Sequence, residues 1–92
     1  MNQKEALIIT IYDWCQELLL RGIDQLGEHD IDTLEKMKLQ GTSLHMDFLV
    51  TLLTSLIQHS REYVFGVGKQ QEVAPIYFQV AAYVQLLHTG YK

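Results

Sequence analysis

The sequence predicts an all-α protein, a small antiparallel helical bundle with three long helices and one short helix. Apolar residues recur at three- and four-residue spacing along most of the chain. A glycine stands just past the expected end of each helix, at Gly27, Gly41, Gly66 and Gly90. The 92 residues are 48% hydrophobic and include one proline, which is typical of a folded globular domain. We therefore predict that 1–92 forms a single helical domain.

The first predicted helix covers 3–26 and ends before Gly27. Glu17 and Arg21 lie four residues apart on its polar side, in the acid-first order that stabilises a helix. At 100° per residue, its apolar side chains occupy an arc of about 180°. They are Leu7, Ile8, Ile11, Tyr12, Trp14, Cys15, Leu18, Leu19, Ile23 and Leu26.

The second predicted helix is short and covers 32–40. Asp32 followed by Glu35 resembles a capping box, which places the start of the helix there, and Gly41 ends it. Leu34 and Met37 supply only a narrow apolar edge. We therefore expect this helix to close one end of the bundle and to add little to its core.

The third predicted helix covers 43–65, with Thr42 or Ser43 as its N-cap and Gly66 after its end. Asp47 lies near the N-terminus, where a negative charge interacts favourably with the helix dipole. The apolar arc is about 200° wide. It holds Met46, Phe48, Leu49, Val50, Leu52, Leu53, Leu56, Ile57 and Val64.

The fourth predicted helix covers 74–89 and opens around Pro75, because proline is tolerated in a first turn. Strands are the competing interpretation of 7–12 and 76–84, which are rich in β-branched and aromatic residues. Neither segment alternates cleanly, and each continues into a run too long for a strand. The pattern therefore favours helices in both places.

The charge balance argues against two classes of partner. Seven Lys and Arg residues against eleven Asp and Glu residues give a net charge of -4, and the basic residues are scattered. Such a field repels phosphate groups, so we expect neither nucleic acid nor a membrane surface as the partner. A short helix, a turn at Gly41 and a second helix have the outline of a helix-turn-helix motif, but the second helix is too apolar and too acidic to enter a DNA groove.

A cytoplasmic location fits the remaining features. Cys15 is the only cysteine, so no disulfide can form within the chain, and its apolar neighbours indicate a small buried side chain. Nothing resembles a cleavable signal peptide. The longest apolar stretch, 48–57, is far shorter than the roughly 20 residues that span a bilayer.

Histidines are the only residues that suggest a ligand site. If the last two helices are antiparallel, His45 and His88 would lie at the same end of the bundle, and a tyrosine such as Tyr12 or Tyr83 could join them. Two imidazoles and a nearby carboxylate can bind a metal ion. No paired-ligand spacing is present, however, so we assign no metal site, no cofactor and no catalytic residue. Binding of a small ligand or metal remains the alternative function.

The predicted function is a protein-contact module, because the helices carry more apolar surface than a bundle needs. A helix in a small bundle buries an arc of about 100–140°, less than the first and third helices offer. Isolated exposed apolar residues are common and can be meaningless. We nevertheless predict a homodimer, or contact with another protein, without enzymatic activity. The predicted interface residues are Ile9, Tyr12, Trp14, Leu20 and Phe78.

Overall fold

The computed structural model describes residues 2–90, which contain four α-helices and one short 3-10 turn. The all-α prediction is confirmed, and no strand occurs within these residues. In chain order the elements are α1 (Gln3–Arg21), the 3-10 turn (Ile23–Gln25), α2 (Glu28–Ser43), α3 (Asp47–Val64) and α4 (Gln70–Gly90).

The helices form an antiparallel ring in which each one contacts two others. Helices α1 and α3 both pack against α2 and α4, and between residues 2 and 90 no close backbone contact crosses the diagonals of the ring. Tyr12 stacks on His88, while Cys15 is hydrogen-bonded to Tyr77, so α1 and α4 run in opposite directions. The pairing of α1 with α2 is the loosest of the four seams.

The core runs along the axis of this ring. Apolar side chains enter it at helical spacing from all four helices, as the sequence pattern predicts. The members that exclude solvent most completely are Ile8, Ile11, Leu18, Leu34, Leu49, Leu53, Leu56, Val73, Tyr77, Val80 and Val84. Within residues 2–90, none of the helices combines the length and apolar content that crossing a bilayer requires.

Helix α1 ends earlier than predicted. Its last residue is Arg21, and Gly22 adopts a φ of 103°, a conformation that favours glycine. Ile23 and Leu26 are still buried, although they belong to the turn that follows. These two side chains continue the apolar spacing beyond the helix. For this reason a prediction from periodicity alone places the end of the first helix at residue 26.

Helix α2 begins four residues before the predicted start. Gly27 is its N-cap, and the carboxylate of Asp30 accepts a hydrogen bond of 3.0 Å from the Gly27 N–H. The other carboxylate oxygen of Asp30 lies 2.8 Å from the guanidinium of Arg21, which fixes the helix start against the end of α1. The predicted N-cap at Asp32 is wrong, because Gly27 is the N-cap and Asp30 is the carboxylate that accepts from its N–H, the role the prediction gave to Glu35.

Helix α2 is also longer than predicted and forms one complete wall of the ring. It spans 16 residues, and Thr42 and Ser43 are its final turn, not the N-cap of the next helix. Gly41 lies inside it, buried against the neighbouring helices. A Cβ atom at Gly41 would stand 3.2 Å from Cγ2 of Val50 and 3.9 Å from Cδ2 of Leu7. This glycine therefore allows close packing and does not terminate a helix.

Enlarging the side chain at Gly41 should destabilise the protein. We expect Gly41→Leu to lower the free energy of unfolding by about 1–3 kcal/mol, because the added atoms have no space beside Val50. Urea denaturation would measure the change. Gly41→Ala is the matched control, since alanine and leucine have similar helix propensities and alanine adds only the Cβ atom. Equal stability of the two variants would contradict the packing role.

The end of α3 and the start of α4 show which local signals identify a helix boundary. Gly66 follows the end of α3 with a φ of 84°, as predicted. The turn between α2 and α3 also contains a residue with a positive φ, His45, at 58°. Helix α4 starts at Gln70, where Glu72 accepts a 2.9 Å hydrogen bond from the Lys69 N–H, and Pro75 lies inside the helix. The predicted start at residue 74 relied on proline and missed this cap.

The length of α2 changes how the wide apolar arcs are explained. With four full helices in a ring, α1 and α3 each pack against two neighbours. A single chain can then bury an apolar arc wider than 140°, so the width of the arc does not by itself indicate a dimer. Any surface for another molecule must be identified from the side chains that stay exposed.

Candidate protein-contact surface

Several large apolar side chains remain exposed on the four helices and the turns between them. They are Leu19, Leu20, Leu39, Phe48, Phe65, Val67, Phe78 and Leu86. Two of them, Leu19 and Phe78, border one depression.

This depression lies on the seam between α1 and α4 and has a volume of about 340 Å³. Besides Leu19 and Phe78, its lining comprises Gln16, Tyr77, Ala81, Ala82 and Gln85. A second depression of about 250 Å³ follows along α4 and is lined by Ala82, Gln85, Leu86 and Thr89. Since Ala82 and Gln85 line both, the two depressions form one continuous apolar surface. We call Leu19, Phe78, Ala82 and Leu86 the α1–α4 face.

Helix α4 contributes most of this face, and its exposed side carries little charge. No Asp, Glu, Lys or Arg occurs between Glu72 and His88. Over this stretch the exposed residues are Pro75, Phe78, Gln79, Ala82, Gln85 and Leu86. Helices α1 and α2 expose charged side chains along their length, whereas α3 has none between Asp47 and Arg61. The α1–α4 face is therefore both apolar and free of formal charge.

Phe78 is held in place through its neighbour Tyr77. The two rings meet edge to face, with centroids 5.0 Å apart and an interplanar angle of 73°. The Tyr77 hydroxyl donates a hydrogen bond of 2.5 Å to the backbone carbonyl of Cys15, which joins α4 to α1. Burial raises the pKa of Tyr77 to about 12, so the hydroxyl keeps its proton and remains a donor. The base of the α1–α4 face is consequently part of the core.

The five predicted interface residues have different positions in the structure. Leu20 is 90% exposed and Phe78 is 52% exposed, so both are accessible. Ile9 and Tyr12 are half-buried, and the Tyr12 ring stacks on His88 with centroids 5.0 Å apart. Trp14 is only 7% exposed and belongs to the core, which removes it as an aromatic anchor for a partner. Only Phe78 lines the α1–α4 depressions.

Three residues of the α1–α4 face were not identified from the sequence. Leu19 was assigned to the core because it lies at the edge of the apolar arc of α1, yet it is 52% exposed. Leu86, which is 71% exposed, and Ala82 were not considered. The absence of charge from 73–87 is the signal that could have indicated Ala82 and Leu86, whereas no sequence signal separates Leu19 from the buried residues of its arc.

The histidines do not form a recognisable ligand site. His45 is exposed in the turn before α3. His88 stacks on Tyr12, and Tyr83 instead packs edge to face on Phe48. Between residues 2 and 90 no group of three or more His, Cys, Asp or Glu side chains is arranged to bind a metal ion.

Neither Cys15 nor the groove between α1 and α2 offers catalytic chemistry. The prediction that Cys15 is buried is confirmed, and burial raises the pKa of its thiol to about 12, which makes it a poor nucleophile. The groove between α1 and α2 has a volume of about 350 Å³. None of its lining side chains titrates near neutral pH; they are Gln3, Ala6, Leu7, Thr10, Gln40, Ser43 and Leu44.

Comparison with known proteins adds no functional assignment to this geometry. No protein-family model matches the chain, and no curated protein or solved structure is significantly similar to it.

Proposed function

We propose that this protein is a small, non-catalytic contact module of the cytoplasm that forms a homodimer through its α1–α4 face. The observation that carries the proposal is the exposure of Leu19, Phe78 and Leu86 around one continuous, charge-free surface. Exposed apolar surface of this kind is typical of protein interfaces.

Charge favours α4 over α1 and α2 as the contact between two copies. Two copies with a net charge of -4 each repel one another, and the repulsion is strongest where acidic side chains are brought together. Contact through α4 keeps acidic side chains out of the interface, because its exposed side has no formal charge between Glu72 and His88. The exposed sides of α1 and α2 would bring charged side chains into it. Helix α3 also lacks charge between Asp47 and Arg61, but Phe48 is its one large exposed apolar side chain.

A stable dimer sets a minimum size for the contact. A standard protein interface buries about 800 Å² on each partner, which would be about one seventh of the 5601 Å² surface of this chain. The proposed dimer would therefore have to use most of the exposed side of α4 and the adjoining side of α1. Leu20 and Ile9 lie on α1 and would belong to the rim of the contact.

Leu86→Asp should abolish self-association. A carboxylate at this position would be buried without a partner at the interface, and we expect the dissociation constant to rise at least about a hundredfold, or roughly 3 kcal/mol. Light scattering and sedimentation equilibrium over the micromolar range would measure the change. Leu39→Asp is the matched control, because Leu39 is equally exposed but lies on α2.

The wild-type protein and the control variant should both be dimers, and Leu86→Asp should be a folded monomer by circular dichroism. Leu20→Asp should weaken the dimer less than Leu86→Asp does, as expected for a rim residue. A wild-type protein that stays monomeric throughout this range would contradict the proposal, as would an equal effect of the α2 control.

A further inference from the structure

We infer that the two copies pair their α4 helices in opposite directions, about a two-fold axis that passes beside Ala82. The inference rests on the proposed self-association through the α1–α4 face. It specifies which residues of one copy meet which residues of the other. The observations that carry it are the spacing of the exposed residues, the two depressions and the position of the nearest charge.

The exposed apolar residues of α4 are spaced evenly about Ala82. Phe78 precedes it by four residues and Leu86 follows it by four, so each lies about 6 Å from it along the helix. Residues four apart form a ridge on a helix surface. The ridge of this helix has a large apolar side chain at each end and a small one in its middle. Such a ridge is self-complementary when it meets a reversed copy of itself.

The two depressions provide the space that the reversed copy needs. One lies beside Phe78 and is completed by Leu19 of α1, and the other lies beside Leu86. In the reversed arrangement, Leu86 of each copy enters the depression beside the other copy's Phe78, and Phe78 enters the depression beside the other copy's Leu86. Ala82 permits the close approach of the two helices at the axis. This is ridge-into-groove packing of the class with a crossing angle of about 50°.

The parallel arrangement is disfavoured by Glu72, the nearest Asp, Glu, Lys or Arg to Phe78 along α4 within the residues described. This side chain is exposed, and its carboxylate is fixed at the helix start by the Lys69 N–H. In a parallel pair the two Glu72 carboxylates would lie at the same level. In the reversed pair they lie about 30 Å apart along the helix direction, well beyond the screening length of about 8 Å at physiological salt. Reversed helices also have favourably opposed dipoles.

Cysteine cross-linking tests the arrangement in the full-length chain. Ala82→Cys should form a disulfide-linked dimer with itself under mild oxidation, because its two copies meet beside the axis. Phe78→Cys alone and Leu86→Cys alone should cross-link at least several-fold less. An equimolar mixture of the two should give a heterodimer with one of each chain, identified by its mass. The wild-type chain is the control, since its single thiol, Cys15, is buried and should not cross-link.

Self-linked dimers of Phe78→Cys and of Leu86→Cys, without the mixed product, would overturn the inference in favour of a parallel pair. If the wild-type protein is a dimer by light scattering but none of the variants cross-links, the reversed arrangement is wrong while self-association stands. If the wild-type protein is a monomer by light scattering, the proposed function itself fails.

Discussion

Replacing Tyr77 with alanine should lower the free energy of unfolding by about 3–5 kcal/mol, the range found for removing a large aromatic side chain from a core. Tyr77 is among the largest fully buried side chains of the structure. Its ring packs between α1 and α4, and its hydroxyl donates to the Cys15 carbonyl. The alanine variant leaves a cavity at the seam that joins the first and last helices. Urea denaturation followed by circular dichroism would measure the loss.

Tyr77→Phe separates the hydrogen bond from the packing. This variant keeps the ring and loses only the donor to the Cys15 carbonyl, so we expect a loss of about 1 kcal/mol. The Phe78 ring should remain supported by the edge-to-face contact, and self-association should be nearly unchanged. If the phenylalanine variant were as unstable as the alanine variant, the hydroxyl and not the ring would supply most of the stability that Tyr77 provides. That result would contradict the packing argument.

Alkaline pH should destabilise the protein through the burial of Cys15. Burial raises the pKa of this thiol from 9.0 to about 12. Between these two values the unfolded chain has lost the thiol proton while the folded chain still holds it. The unfolded state then binds fewer protons, so stability falls as the pH rises. At about 1.4 kcal/mol for each pH unit, the loss approaches roughly 4 kcal/mol near pH 12.

Cys15→Ala isolates this contribution from that of other titrating groups. The variant should be somewhat less stable than the wild type below pH 9, because it leaves a small cavity in the core. Its stability should fall less steeply at higher pH, since no thiol remains to titrate. Denaturation curves of both proteins across this range give the comparison. Parallel pH profiles would show that the thiol contributes nothing.

Helical periodicity predicts much of this fold, because it reports which side chains enter a core. It identified most of the buried side chains of the first and third helices, with Leu19 and Phe48 as exposed exceptions. It could not find the end of α1, since Ile23 and Leu26 enter the core from the following turn. It also underestimated α2. Glycine is common just after a helix end, so the sequence predicts that α2 stops before Gly41. Only the proximity of Leu7 and Val50 explains why this glycine lies within the helix.

The surface was harder to predict than the fold for a physical reason. The spacing of apolar residues shows where the centre of the buried arc of a helix lies. Whether a side chain at either edge of that arc is exposed depends on whether a neighbouring helix covers that edge. Leu19 and Trp14 belong to the same predicted arc, yet the structure exposes the first and buries the second. Leu20 and Phe78 were correctly expected to be accessible because they lie far from the centre of any arc.

The ring arrangement has a consequence for the order in which this protein is made. Three of its seams join helices that follow one another in the chain, whereas the seam between α1 and α4 joins the first helix to the last. Closing so long a loop carries the largest entropic cost, so this seam forms late. The surface that contains Leu19 and Phe78 therefore does not exist until α4 has left the ribosome and docked on α1. A growing chain cannot pair through this surface before its own fold is closed, which limits premature association during synthesis.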